Sequence, residues 1–395
     1  MKKLLTLAWL LCGLVAFSQN KYQQDFEEFW NDVNTSHAYL DKQQIDWPKV
    51  REIYRPIFAN VQNDSDFIKN LEKVINELYN GHISLNTNLN SSNKLVPSGA
   101  DLFAEKKGNH FFVSDLRKGY EAEACGLRVG MEIVKFNDAP ILPQLKAFLP
   151  TYTNQHSAAM YEYALAMLLA GTHDNPRKIT VLEKGKEKAF YLDENKITQS
   201  PFLLISKKLN PQTGYIKINN SLFLNNLIAA FDAALDSLLD TQTLVLDLTE
   251  TPSGGNSTVA RAILGRFITQ KAAYQQHEFD EKEFGTRRYW VEYVLPRARP
   301  YKGKLIVMVG HWTGSMGEGM TIGFDALQRA TIVGTPMAKL LGAISGFQAS
   351  QTRIGYQFPT ERLYHLNGTP REDFVPPIRT QNLKQTWEKV NELIR

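Results

Sequence analysis

The chain has only two cysteines, Cys12 and Cys125, among 395 residues. If Cys12 leaves with an N-terminal leader, Cys125 stands alone and no intramolecular disulfide is available. Cys125 lies in Glu-Ala-Cys-Gly-Leu and reads as a small core residue rather than a reactive thiol. Charge of one sign is also scarce. The net charge is +4, half of it from Lys2 and Lys3, and no stripe of Lys and Arg follows, which excludes nucleic acid as an expected partner. The eight histidines are scattered, with no His-Glu-x-x-His and no paired cysteines, so neither a metal nor a cofactor is expected. No Lys-Ser/Thr follows Gly254-Gly255 in P-loop register. The long apolar run from Leu4 to Phe17 is too short to cross a bilayer comfortably.

That run does fit an export signal. Lys2 and Lys3 precede it, and Ala16-Phe17-Ser18 supplies a small-x-small cleavage pattern, so Gln19 is the expected mature start. A membrane anchor is the competing reading. Lipoprotein processing at Cys12 is disfavoured by Leu11 before it. An exported chain is then expected in the periplasm or outside the cell.

The remainder changes texture twice. Residues 20 to 95 are helical in pattern, with Phe26, Phe29, Trp30 and Val33 on one face and Phe67, Leu71, Val74 and Leu78 on another. Short strands then dominate to about residue 192, at 109–113, 132–136 and 178–182, with a helix over 152–170 closed by Gly171. From about 200 onward strand and helix alternate. Strands are expected at 214–218, 243–248, 304–309 and 330–333, with helices at 227–238, 256–268 and 317–328. Such alternation predicts parallel strands with crossover helices, and sites at their C-terminal ends.

Three segments fall at those ends. Thr251-Pro252-Ser253-Gly254-Gly255-Asn256 follows a buried strand, and its glycines let backbone amides approach a ligand. His311-Trp312-Thr313-Gly314-Ser315-Met316-Gly317-Glu318 joins a buried strand to a helix. A serine there has helix amides beneath it, where a developing oxyanion needs them. Thr313 occupies the first glycine position of the Gly-x-Ser-x-Gly elbow, and a plain helix cap is the alternative reading of Ser315. The third segment, Gly368 to Asp373, is acidic and polar.

Together these segments resemble the tail-specific, or C-terminal processing, serine peptidases, the family that includes the tricorn core protease. Leu246-Asp247-Leu248 through Gly254-Gly255 resembles its Asp-Leu-Arg and Asn-x-Gly-Gly, with Thr249 in place of the arginine. Thr313 to Glu318 resembles its Thr-Ala-Ser-Ala-Gly-Glu, in which the serine is the nucleophile. Val333-Gly334-Thr335-Pro336 and Glu372 with Val375 and Pro376 resemble later elements. Ala124 to Ile133 resembles the glycine-rich stretch of its PDZ module, and Leu78 to His82 its Leu-x-Asp-Gly-His. The resemblance implies a signal peptide at 1–18, a helical domain at 19–95, a PDZ-like domain at 96–195 and a crotonase-like α/β peptidase core at 200–395. It further implies a polypeptide substrate, held by its C-terminus or an extended stretch. Gly99, Ala100, Asp101, Leu102 and Phe103 match the carboxylate-binding loop of such a module. Amides of Gly254 or Gly255 and of Met316 are the implied oxyanion donors.

The base is open between two arrangements. Many members use a lysine about 25 residues after the serine; here that register holds Leu340, with Lys339 one place early. Others, such as the chlamydial protease-like activity factor, resemble a Ser-His-Glu triad. His82 sits in the matching leader element and Glu372 follows Ser315 by 57 positions. Imidazole suits proton transfer near neutral pH, with a carboxylate to orient it, so His82 is the favoured base. His311 is a weaker candidate. The competing functions are a peptide-binding pseudo-peptidase and a small-molecule or lipid-binding module on the same fold.

Overall fold

The computed structural model describes residues 20–395. The proposed leader, its cleavage site and Cys12 lie outside them. Among the described residues no helix is long and apolar enough to cross a membrane.

Three helices open the described chain: Lys21–Ser36, Trp47–Phe58 and Asp64–Asn76. Asn20, Asp46 and Asn63 cap them by accepting backbone N–H groups in the first turn. Phe26, Phe29, Trp47, Phe58 and Phe67 turn inward, but they do not form a core of their own. They pack on Tyr356 and Phe358, so this helical region is built onto distant strands.

Residues 102–191 form an antiparallel sheet. Leu102–Lys107, His110–Leu116, Glu132–Phe136, Lys178–Glu183 and Lys186–Tyr191 are adjacent in that order. The helix Ala158–Ala170 starts later than its sequence pattern suggested, at the Ser157 cap, and packs against the first strand of this sheet. Cys125 is half-buried against this core, its thiol donating to the Ala122 carbonyl at 3.3 Å.

The third region carries the expected alternation. Thr213–Ile218, Thr243–Asp247, Lys304–Val309, Thr331–Gly334 and Ile378–Arg379 run parallel and side by side. Leu204–Asn210 adds one antiparallel edge strand. Leu244, Leu246, Leu305 and Val307 face the helices Leu227–Asp236, Ser257–Leu264 and Met316–Ala326. Val245, Ile306 and Met308 face the opposite way, toward the last helix, Leu383–Leu393. Burial on both faces explains their unbroken apolar runs.

A third sheet was not expected. Ala272–Glu281 and Thr286–Val294 form a long hairpin that pairs with Gly355–Tyr364. Ala343–Gln348 and Ser84–Leu85 also pair with Gly355–Tyr364. This sheet draws residues 84–85, which follow the helical region, to the protein's C-terminal third.

Candidate active site

Ser315 stands at the junction of the Lys304–Val309 strand and the Met316–Ala326 helix. Its backbone has φ 51° and ψ −111°, a region that L-residues enter at a cost of about 1–3 kcal/mol. The turn is therefore a sharp elbow although Thr313 replaces its first glycine. Thr313 fits because its hydroxyl donates to the Leu248 carbonyl and accepts from the Gly310 N–H, both at 2.9 Å. The strained serine is held by Glu318, fully buried one turn into the helix, whose Oε2 accepts the Ser315 N–H at 2.7 Å.

His82 arrives from the segment after the Asp64–Asn76 helix. Its Nε2 lies 3.0 Å from Ser315 Oγ, and its Nδ1 lies 2.6 Å from the Leu341 carbonyl. A carbonyl can only accept, so Nδ1 carries the proton and Nε2 is free to take the serine's. Burial, reinforced by the nearby Arg371 charge, pushes the imidazole down to about 4 against the pull of the Leu341 bond. The ring is therefore neutral, as a base must be, throughout the physiological range.

Asn80 aligns the two segments. Its side-chain oxygen accepts N–H groups from His82 at 3.0 Å and Leu341 at 3.3 Å, and its amide donates to the Lys339 carbonyl at 3.2 Å. Glu318 braces the same strip from the other side by accepting the Leu340 N–H at 3.2 Å. Burial raises this carboxyl to about 7. Leu340, the residue in the expected lysine register, is buried. A methyl on Gly314 would lie 3.1 Å from one end of this side chain, and a methyl on Gly81 3.3 Å from the other. An apolar wedge thus fills the space between Gly81 and Gly314.

Two sequence expectations fail here. Glu372 does not orient His82. It sits in the short turn Arg371–Asp373 and pairs with Lys42 at 2.7 Å, because Arg371 occupies the strip instead, donating to the carbonyls of Leu340 and Gly342. Lys339 is half-exposed and pairs with Glu162 at 3.3 Å, with no hydrogen bond to Ser315. The Leu341 carbonyl, Asn80 and Glu318 do the positioning. Glu318 and Asn80 carried a sequence signal through their places in the serine motif and in the Leu78–His82 element; the Leu341 carbonyl carried none. His311 is committed elsewhere, stacked on Phe103 with ring centroids 3.7 Å apart, and burial takes it down to about 3.

The glycine loop meets the serine from above. Gly254 has φ 64°, and a Cβ there would fall 2.8 Å from Ser315 Oγ and 2.9 Å from the Met316 nitrogen. Only glycine permits that approach. The Gly254 N–H is spent on the Thr251 carbonyl at 3.1 Å, so it is not an oxyanion donor. The amides of Gly255 and Met316 have no hydrogen-bond partner among the described residues. Thr249, the residue in place of arginine, closes its turn locally, donating from N–H and hydroxyl to Asp247 Oδ1.

The expected carboxylate loop is also spent. Gly99 and Ala100 donate to Leu95 and Pro97, and the Ala100 carbonyl accepts from the Trp312 indole at 2.7 Å. Asp101 is buried against Arg177. Ala100, Leu102 and Phe103 instead line a cavity that Gly81 and Leu341 also line. The antiparallel sheet is tied to the core by a buried ion pair between Arg117 and Glu250, with Tyr120 donating to the same carboxylate at 2.9 Å. No group of side chains suited to a metal ion occurs among the described residues.

A strained serine, a neutral histidine in contact with it and unpaired amides beside it form the apparatus of acyl transfer. Residues 212–377 match the model of peptidase family S41, and residues 18–76 match the tricorn protease C1 domain. The region that carries Ser315 is therefore of the peptidase family S41 type. The chain is a serine-type peptidase, and its substrates are polypeptides. Its fold is shared with solved structures of low sequence identity. One is mature CPAF, at 14% identity and TM-score 0.65, covering 94% of this chain and 96% of that one. Another is the photosystem II D1 C-terminal processing protease, at 17% identity and TM-score 0.56, covering 91% and 93%. A putative peptidase from Parabacteroides merdae matches at 13% identity and TM-score 0.54, covering 94% and 95%.

Proposed function

We propose that this chain is an exported endopeptidase that cuts through a Ser315 acyl-enzyme with His82 as general base. The observation that carries the reading is the 3.0 Å contact between His82 Nε2 and Ser315 Oγ on a strained turn. His82 takes the hydroxyl proton as Oγ attacks the peptide carbonyl, and the Met316 and Gly255 amides receive the oxyanion. The imidazolium then protonates the leaving amine, the acyl-enzyme forms, and water repeats the cycle. Because a carbonyl rather than a carboxylate touches Nδ1, the imidazolium is oriented but not neutralised by direct contact. Export rests on the leader pattern of residues 1–18. Residues 96–195 act as a PDZ-like module that guides an extended or C-terminal stretch of substrate.

Labelling by a fluorophosphonate probe tests the nucleophile. It should occur in the wild type and vanish in Ser315→Ala; absence of labelling at every pH in the folded wild type would overturn the reading and leave a peptide-binding pseudo-peptidase. His82→Ala should cost several orders of magnitude in kcat.

A further inference from the structure

The glycine loop at 251–256 is held by a second segment, residues 219–226, which follows the strand Thr213–Ile218. Asn220 grips the loop with both ends of its side chain. Its Oδ1 accepts the Ser253 N–H at 2.9 Å, and its Nδ2 donates to Ser253 Oγ at 3.0 Å. The backbone of Asn220 is pinned in turn, its N–H donating to the Glu250 carbonyl at 2.6 Å. Its φ is 43°, a left-handed conformation that asparagine tolerates better than most residues. On the far side of the glycines, the Asn256 N–H donates to the Leu222 carbonyl at 3.3 Å. Leu222 also lies against Gly255, where an added Cβ would strike its carbonyl. The Gly254-Gly255 pair is thus fastened at both ends to one short segment. Among the described residues, none of that segment hydrogen-bonds Ser315 or His82.

We propose that Asn220 is a positioning residue of the peptidase, holding the Ser253–Gly255 backbone so that the Gly255 amide meets the oxyanion. The inference rests on Ser315 and His82 being the catalytic pair, with Gly255 and Met316 as oxyanion donors. The Met316 amide needs no such help. It opens a helix whose first turn Glu318 secures through the Ser315 N–H. Gly255 lies in a loop and follows a glycine at φ 64°, and neither glycine has a side chain to anchor it. Beyond the turn that the Gly254 N–H closes on Thr251, the anchors are the residues on either side, Ser253 and Asn256. Both Asn220–Ser253 bonds are open to solvent, so a single one would yield readily to water. Two from one planar amide fix the distance and the tilt of Ser253 together. Oxyanion donors act by being in place before charge develops, and a misplacement of about 1 Å costs up to about 100-fold in rate. The oxyanion belongs to the transition state and not to bound substrate, so loosening this loop lowers kcat and leaves substrate binding nearly alone.

The test compares the mature chain with Asn220→Gly, which keeps the left-handed backbone and removes both bonds. On one internally quenched peptide, kcat should fall about 10- to 100-fold with KM within about threefold. The Ki of a peptide boronic acid, whose serine adduct carries a negative tetrahedral centre, should rise by the factor that kcat/KM falls. Fluorescence anisotropy of the peptide on Ser315→Ala should be the same with and without Asn220→Gly, and the acid limb of the pH profile, set by His82, should not move. Asn220→Asp keeps an acceptor for the Ser253 N–H and takes the Ser253 hydroxyl as a donor, so it should restore most of the lost kcat. Asn220→Ser, too short to reach Ser253, replaces the glycine variant if that does not fold. An unchanged kcat in the folded variant, a loss carried by KM, or an aspartate variant no better than glycine overturns the proposal. A wild type that neither cuts nor takes the fluorophosphonate label brings down the catalytic reading and this proposal with it. A wild type that does both, with Asn220→Gly its equal, brings down the proposal alone.

Discussion

The acid limit of this peptidase should lie far below that of an ordinary histidine enzyme. His82 is depressed from 6.5 to about 4, mainly by burial and then by the Arg371 charge. The base works only when neutral, so kcat/KM should rise with pH through about 4 and be flat by pH 6. The same depression has a cost in stability. The unfolded chain binds a proton at His82 below 6.5 that the folded chain refuses until about 4. Stability from this group is fully present above 6.5 and is lost as pH falls to about 4, amounting to roughly 3 kcal/mol. His82→Phe removes the titrating ring, so its stability should fall less between pH 7 and pH 4, by up to that amount, while its activity is lost. Urea denaturation of both proteins at half-unit steps, beside kcat/KM of the wild type on one peptide, measures each effect. A wild-type activity limb at or above 6.5 in a folded protein, or equal acid sensitivity of the two proteins, would refute the reasoning.

Other outcomes follow from the same contacts. Lys339→Ala should leave kcat within about twofold, because it touches only an exposed glutamate. Asn80→Ala removes three hydrogen bonds that align His82 with Leu341 and should lower kcat about 10- to 100-fold, with a small change in KM; an unchanged kcat would show that the strip holds itself. Gly254→Ala places a methyl against Ser315 Oγ at positive φ and should abolish fluorophosphonate labelling even where circular dichroism shows a folded protein. Arg117→Met strands the buried Glu250 carboxylate and should destabilise by about 3–5 kcal/mol in urea denaturation.

The parallel sheet was legible because Thr243–Asp247 and Lys304–Val309 are apolar on both faces and are followed by helical periodicity. The Ser315–His82 pair was legible through motif order, although 233 positions separate the two residues. The third sheet was not legible. Its hairpin from Ala272 to Val294 mixes Gln, His, Glu and Arg with aromatic residues and is mostly half-exposed, so it lacks the clean alternation of a one-sided strand. Glu372 was misplaced because spacing along the chain cannot reveal that Arg371 turns toward the strip while its neighbour turns toward Lys42. The Leu341 carbonyl was beyond reach for a simpler reason. A backbone acceptor is present at every residue, so its role leaves no mark in composition.

The strip from Lys339 to Gly342 has a consequence for how the molecule comes into being. Neither His82 nor Ser315 has a working partner until this strip lies between Asn80, Glu318 and Arg371. A ribosome-bound chain that has released the serine but not residue 371 therefore lacks the clamp that aims the base. The aim of the base is thus a property of the completed chain and of no shorter piece of it.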